Sequence, residues 1–145
     1  MSADSHDLGR FIEAQEPVYD HVIAEIRDGR KRTHWMWFVF PQLAGLGNSS
    51  MAARYAIRDP GEPRDYLEHP ILGSRLIECA EAALAVEGRS AMEIFGTPDD
   101  LKLRSCATLF AQVSAPDSVF HRILDKYYSG EPDRRTLQLL GQHSE

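Results

Sequence analysis

The densest group of side chains that could do chemistry lies between residues 30 and 42. Arg30, Lys31 and Arg32 form a run of cations, and the imidazole of His34 follows almost at once. An arginine holds phosphate or carboxylate through paired hydrogen bonds, a lysine does so as a point charge, and histidine transfers protons near neutral pH. We therefore predict a site for a small anion, with His34 as its general acid or base if the site is catalytic.

Two indoles and a terminal amide complete this segment. Trp35 or Trp37 could stack on a planar ring, and the amide of Gln42 is its last candidate ligand-binding group. A structural interpretation competes with this one, because tryptophans in an apolar run mostly pack into a core. A histidine beside a helix start, as at His34, often serves only as a second capping group.

A second group of cations consists of Lys102 and Arg104, inside the first two turns of a predicted helix. Free backbone N–H groups and the helix dipole favour anions at such a position. Residues two positions apart point about 200° apart around a helix axis, so the two cations cannot face the same pocket without help. Pairing with Asp99 and Asp100 is the competing explanation for both cations.

Two further polar residues belong to helices with apolar faces. Arg75 could complete an anion site or simply extend its charge into solvent. Gln15 lies within an apolar stripe, where a buried amide must find hydrogen-bond partners. It could orient a ligand or cap a neighbouring segment, and the sequence favours neither.

Several familiar chemistries lack their parts in this sequence. The chain has no GxxxxGKS phosphate loop, no GxGxxG, no HExxH and no CxxC, and its six histidines are scattered. We therefore predict no metal site and no cofactor. Cys79 and Cys106 lie on apolar helix faces, so we interpret both as reduced, buried thiols and not as nucleophiles.

Composition narrows the function classes further. The 145 residues are 43% apolar and carry 16 basic against 22 acidic side chains, a formal charge of −6. These values fit one packed domain and exclude a disordered chain. The negative charge argues against a nucleic-acid partner, but seven of the acids fall within residues 1–29, so a small anion could still reach the cations beyond them. The N-terminus is polar, and no apolar run approaches the ~20 residues that a membrane span needs. We therefore predict no membrane span and a cytoplasmic protein.

The elements that position these groups are predicted to be helices. Apolar residues recur at helical spacing through most of the chain, and no set of segments alternates convincingly with period two. We therefore predict an all-α, compact single-domain bundle of about seven short to medium helices over residues 1–145.

Three boundaries in this prediction bear on the candidate site. The apolar run 35–40 could be a helix or a buried strand, and we favour a helix capped by Thr33. The cluster 59–63, rich in proline and acidic residues, predicts a loop. Thr97 followed by Pro98 predicts the start of the helix that carries Lys102.

Residues 29–42 taken together resemble a signature of an uncharacterised, mainly bacterial family of small proteins, domain-of-unknown-function family eighteen-ten. The resemblance continues through 69–76, 94–105 and 127–140, so it covers nearly the whole chain. It implies an all-α fold and no established activity. The name calpastatin-like, sometimes given to the family, carries no weight, because that inhibitor is a disordered chain.

Two functions from different classes follow from these observations. The first is a pocket for a small anionic metabolite, phosphate-like or nucleotide-like, at which His34 would support hydrolysis or group transfer if the protein is an enzyme. The second is a protein–protein interaction module without a catalytic pocket, in which the indoles or Tyr127 and Tyr128 would form an exposed aromatic face. The sequence sets neither the ligand nor the oligomeric state.

Overall fold

Residues 7–143 of the computed structural model are described, and they fold into ten α-helices without a strand. Seven of these helices have seven residues or more, so the all-α prediction is confirmed. None of them is both long enough and apolar enough to cross a lipid bilayer. In chain order the helices are α1 (Gly9–Gln15), α2 (Tyr19–Arg27), α3 (Met36–Val39), α4 (Ser50–Arg54), α5 (Glu62–Glu68), α6 (Leu72–Ala85), α7 (Ala91–Phe95), α8 (Asp99–Ala111), α9 (Val119–Tyr128) and α10 (Arg134–His143).

The core is built around α8. Every residue of this helix from Ser105 to Ala111 is buried, because most of its side chains there are small enough to let neighbouring helices approach closely. Helix α8 packs against α7 and α9, α9 packs against α6, and α6 packs against α2 and α5. With its second half enclosed on all sides, α8 presents only its first turns, around Leu101 and Lys102, to the surface.

The apolar run 35–40 forms the short helix α3, as we favoured. The cap predicted at Thr33 is wrong, because α3 begins only after Trp35 and has no side-chain cap. The Thr33 hydroxyl instead donates a 2.7 Å hydrogen bond to Oε2 of Glu25. This bond and the 3.2 Å bond from the Thr33 amide to Oε1 of Glu25 hold Thr33 against α2, before α3 begins.

The predicted loop at 59–63 is wrong in its second half, where helix α5 begins. Glu62 is the first residue of α5, and Pro63 lies in its first turn. A proline costs no hydrogen bond there, because the first N–H groups of a helix have no partner within it. Tyr66, further along α5, is completely buried and fixes the helix against the core.

The start of α8 also differs from the prediction. The helix begins at Asp99 after Pro98, and the Thr97 hydroxyl does not cap it. The amide of Asp100 donates to the carbonyl of Gly96 at 2.8 Å, and the amide of Lys102 donates to the carbonyl of Pro98 at 3.1 Å. Backbone N–H groups that we expected to be free for an anion are therefore already bonded, and anion binding near Lys102 depends on side chains.

A buried ion pair that the sequence did not reveal fixes α1 to the middle of the chain. The guanidinium of Arg10 lies 3.1 Å from Oε2 of Glu62, with both side chains almost fully buried. The same guanidinium donates to the carbonyls of Arg54 at 2.9 Å and Ala56 at 2.7 Å. Oε1 of Glu62 accepts a hydrogen bond from the amide of Arg58 at 2.8 Å. These bonds fix the turn between α4 and α5 against α1.

Candidate functional site

An open cleft of about 400 Å³ lies between the segment before α3 and the start of α8. We call it the Lys102 cleft. Its lining residues are Lys31, Arg32, Thr33, His34, Met36, Trp37, Thr97, Pro98, Asp99 and Lys102. The structure thus brings together five of the predicted site residues, and it joins the two cation groups that lie far apart in the sequence.

A buried carboxylate, that of Glu25, holds one wall of this cleft. Its Oε1 accepts hydrogen bonds from the amides of Arg32 at 2.9 Å and Thr33 at 3.2 Å, and from the indole N–H of Trp35 at 2.8 Å. Burial raises the pKa of Glu25, but these hydrogen bonds and the one from the Thr33 hydroxyl outweigh it and lower the pKa to about 2. Trp35 is buried, so its ring packs in the core and does not face the cleft.

The two lysines of the cleft differ in how firmly they are bound. Nζ of Lys31 lies 2.9 Å from Oδ2 of Asp99, and the Lys31 side chain is only 7% exposed. It also donates to the carbonyl of Thr33 at 2.6 Å and lies over the Trp35 ring at 5.1 Å from its centre. Lys31 therefore neutralises Asp99 and is a structural cation.

Lys102 is held less closely than Lys31. Its Nζ lies 3.4 Å from Oδ1 of Asp99, which is longer than the roughly 2.7–2.9 Å typical of a charge-assisted hydrogen bond. The side chain is 22% exposed, and Nζ lies 5.0 Å from the centre of the Trp37 ring. Lys102 is therefore paired less closely with Asp99 than Lys31 is.

The remaining predicted residues of the first segment lie at the edge of the cleft or outside it. The His34 side chain is exposed and lines the cleft, and its ring makes no hydrogen bond to any described residue. Arg32 lines the cleft while forming an exposed ion pair with Asp28. Arg30 is exposed and is not among the lining residues.

A second cavity, of about 510 Å³, adjoins the Lys102 cleft and shares Pro98 and Lys102 with it. We call it the Gln42 cavity. Its other lining residues are Gln42, Leu46, Gly47, Asn48, Ser49, Ala52, Leu101, Ser105, Asp133 and Arg135. The carbonyl of Gln42 accepts a 2.9 Å hydrogen bond from the amide of Ile57, which fixes the backbone beside the cavity.

The family of this chain is shown by its sequence. A family model described as "Protein of unknown function (DUF1810)" matches residues 5–140. The chain belongs to this family. The resemblance that we noted in residues 29–42 is thereby confirmed, and the family assignment brings no established activity with it.

A solved structure shows the same DUF1810 fold. The crystal structure of the conserved hypothetical protein Rv1873 from Mycobacterium tuberculosis is 56% identical to this chain in sequence, with a TM-score of 0.91. The match covers 93% of this chain and 96% of that one. Among curated proteins no match is found.

In this DUF1810 chain, Gln15 and Arg75 lie together, outside both cavities. The Gln15 amide donates to the carbonyl of Phe38 at 2.7 Å and to the hydroxyl of Tyr66 at 3.2 Å. A guanidinium N–H of Arg75 donates to Oε1 of Gln15 at 3.3 Å, and another donates to Glu16 at 2.8 Å. Of the two roles that we considered for Gln15, these contacts are those of an amide that caps a neighbouring segment.

Arg104 points away from Lys102, as their spacing in the helix predicts. Its Nε donates to the carbonyl of Glu131 at 2.9 Å, and its guanidinium lies 5.7 Å from the centre of the Tyr128 ring. It lines a third open cavity, at the start of α10, together with Arg134 and Arg135. Arg135, which also lines the Gln42 cavity, is a cation that our sequence analysis missed. The pair of arginines after Asp133 was the signal that could have drawn attention to it.

Within residues 7–143, neither the two cysteines nor any cluster of potential metal ligands forms a second candidate site. Both cysteines are free and buried, as predicted. Burial raises the pKa of Cys79 to about 12 and that of Cys106 well above its ordinary range, so neither thiol is an activated nucleophile. Between residues 7 and 143, no group of three or more His, Cys, Asp or Glu could hold a metal ion.

The tyrosines considered for an interaction face have their hydroxyls bonded within the fold. Tyr127 donates to the carbonyl of Ala83 at 2.7 Å, and Tyr128 donates to the carbonyl of Asp100 at 2.5 Å. Trp37 is half-buried beneath Lys102. These aromatic groups consequently do not form one exposed apolar face.

Proposed function

We propose that this protein binds a small metabolite carrying a phosphate or a carboxylate in the Lys102 cleft. The observation that carries the proposal is the position of Lys102. Its ammonium group stands on the wall shared by two cavities, and the nearest carboxylate, that of Asp99, is held more closely by Lys31. An anion entering the cleft therefore meets a cation whose charge is not yet neutralised.

The balance of charge within the cleft supports the same proposal. Three cations, Lys31, Arg32 and Lys102, line it; Lys31 is paired with Asp99 and Arg32 with Asp28, which leaves Lys102 as the cation in excess. Its volume of about 400 Å³ lies within the range of roughly 300–1,000 Å³ that is usual for small-molecule sites. The formal charge of −6 on the whole chain repels long polyanions but acts weakly on a small one inside a basic cleft.

His34 is the group that would move a proton to or from the bound metabolite. Its ring lines the cleft and has no hydrogen-bond partner among the described residues. If binding leads to a reaction, we propose hydrolysis or transfer at a phosphate-bearing or ribose-bearing ligand, with His34 as general acid or base. Loss of turnover in His34→Ala with unchanged ligand affinity would support this role.

The proposal is tested by thermal unfolding with inorganic phosphate, ribose 5-phosphate, glucose 6-phosphate and citrate. A ligand that binds the folded chain raises Tm with its concentration. We expect a rise for at least one anion and its loss in Lys102→Ala. The matched control is Arg122→Ala, which removes an exposed cation on α9 and should leave the rise intact. The proposal fails if no anion raises Tm, or if the rise survives in Lys102→Ala.

A further inference from the structure

We infer that the metabolite bound at Lys102 is nucleotide-like, and that its heterocyclic ring occupies the Gln42 cavity. The inference rests on the proposed function and extends it, because it assigns the second part of the ligand to a second cavity. Lys102 links the two parts, since its side chain lines both spaces.

Two walls of the Gln42 cavity suit a flat apolar ring. Leu46, Ala52 and Leu101 line it, and the Leu101 side chain is 54% exposed at the surface of α8. An exposed leucine gains from being covered by a ring, because apolar surface is removed from water. At about 510 Å³ the cavity is large enough for a nucleoside-sized group.

The polar groups of the cavity suit the edge of a heterocycle. The side-chain amides of Gln42 and Asn48 line it, and neither forms a hydrogen bond within residues 7–143. Each amide offers a carbonyl oxygen and an NH₂ group side by side, the arrangement that pairs with neighbouring donors and acceptors on a nucleobase. Gln42 is half-buried, so a ligand that bonds its amide supplies a partner that the fold does not.

The other polar side chains of the cavity are already engaged. Oγ of Ser49 accepts from the amide of Ala52 at 3.0 Å, and Oγ of Ser105 donates to the carbonyl of Leu101 at 3.2 Å. Oδ2 of Asp133, the acid of this cavity, accepts from the amide and hydroxyl of Thr136. The groups left for a ligand are therefore two amides and two cations, Lys102 and Arg135.

This set of groups selects among anionic ligands. A sugar phosphate would satisfy the cations but leave the apolar walls uncovered, and an aliphatic acid would leave the amides unbonded. An anion with a heterocyclic ring satisfies all three kinds of group. Its phosphate would bind Lys102 from the Lys102 cleft, and its ring would lie in the Gln42 cavity with its polar edge toward Gln42 and Asn48.

Isothermal titration with three kinds of probe tests the inference. Ribose 5-phosphate carries the anion alone, the four ribonucleosides carry the ring alone, and the nucleoside 5′-monophosphates carry both. We expect at least one monophosphate to bind about tenfold or more tightly than ribose 5-phosphate. Gln42→Ala and Asn48→Ala should weaken that monophosphate by about fivefold or more and leave ribose 5-phosphate within about twofold. Gln138→Ala, an exposed amide on α10, is the matched control and should change neither.

The possible results separate the inference from the proposed function. If ribose 5-phosphate binds in a Lys102-dependent manner and no monophosphate binds more tightly, the inference fails and the proposed function stands. If none of the probes binds, the inference fails, and the proposed function fails with it only if inorganic phosphate, glucose 6-phosphate and citrate also leave Tm unchanged. A third result would contradict the placement of the ring in the Gln42 cavity. In it, a monophosphate binds tightly, and Gln42→Ala and Asn48→Ala do not change its affinity. If that monophosphate also quenches indole fluorescence, and Trp37→Phe removes the quenching, the ring lies on Trp37.

Discussion

The indole N–H of Trp35 donates a 2.8 Å hydrogen bond to the carboxylate of Glu25. Both side chains are buried, and the same carboxylate binds the amides of Arg32 and Thr33. One residue at the end of α2 therefore fixes the course of the chain through Lys31 and up to α3. The cations Lys31 and Arg32 therefore lie in a segment that this acid holds in place.

Acidification should remove this contribution of Glu25 to stability. The pKa of Glu25 is lowered from its ordinary value of 4.5 to about 2, so the folded state holds the ionised form more firmly than the unfolded state does. The stabilisation is fully present above pH 4.5 and is lost as the pH falls toward 2, by at most about 3 kcal/mol. Urea unfolding at about pH 7, 5 and 3 measures the loss.

Glu25→Gln is the variant that isolates this effect. It should be less stable than the natural protein at neutral pH, and the two stability curves should converge as the pH falls. Glu68→Gln, an exposed acid on α5, should give a curve parallel to that of the natural protein. Parallel curves for Glu25→Gln would contradict the prediction.

Replacing the two lysines of the cleft should affect different properties: Lys31→Met should lower stability, and Lys102→Met should remove anion binding. Lys31→Met removes the close partner of Asp99 and should cost about 1–3 kcal/mol of unfolding free energy. Lys102→Met keeps the apolar stem over Trp37 and should cost less than about 1 kcal/mol while abolishing anion binding. Urea unfolding and titration with ribose 5-phosphate, performed on both variants, measure the two effects. Equal destabilisation by both changes would show that Lys102 is structural.

Arg10→Met should be among the most destabilising replacements of a charged residue in the fold. It leaves the buried carboxylate of Glu62 without its cation, which typically costs about 3–5 kcal/mol. Arg27→Met removes an ion pair with Glu78 in which both side chains are about half exposed, and it should cost about 0–1 kcal/mol. Comparing their urea midpoints tests the prediction, and a loss below about 1 kcal/mol in Arg10→Met would refute it.

Two glycine replacements should shift stability in opposite directions. A Cβ on Gly73 would lie 2.1 Å from the backbone oxygen of Leu67, so Gly73→Ala must push α5 and α6 apart and should cost more than about 2 kcal/mol. A Cβ on Gly141 meets nothing within 4 Å, and Gly141→Ala should stabilise α10 by up to about 1 kcal/mol. Thermal unfolding separates the two, and similar Tm values would contradict the steric argument.

Local signals in the sequence predicted most of the helices correctly. Amphipathic spacing identified the long ones, whose apolar faces form the core. The exceptions arise where tertiary contacts or proline mislead local reasoning. The segment 59–63 has the composition of a loop, but Pro63 lies in the first turn of α5. Thr33 donates to the carboxylate of Glu25 and lies too far before α3 to cap it.

The candidate site was predictable in its residue types and less so in their roles. The sequence indicated that Lys31 and Lys102 could bind anions, but only the fold shows that Asp99 lies between them and is held by Lys31. Gln15 and Arg75 could be identified as polar residues on apolar faces. Their location away from the cleft follows from which way α1 and α6 face, and no local pattern encodes that.

The position of Lys102 on a wall common to two cavities has a kinetic consequence. An exposed or half-exposed side chain changes rotamer within picoseconds to nanoseconds, whereas loops and domains move in microseconds or longer. We therefore expect the Lys102 side chain to adjust to a ligand faster than any loop or domain could move. Association should follow a single exponential in stopped-flow records, with a rate that rises linearly with ligand concentration and no slow isomerisation after encounter.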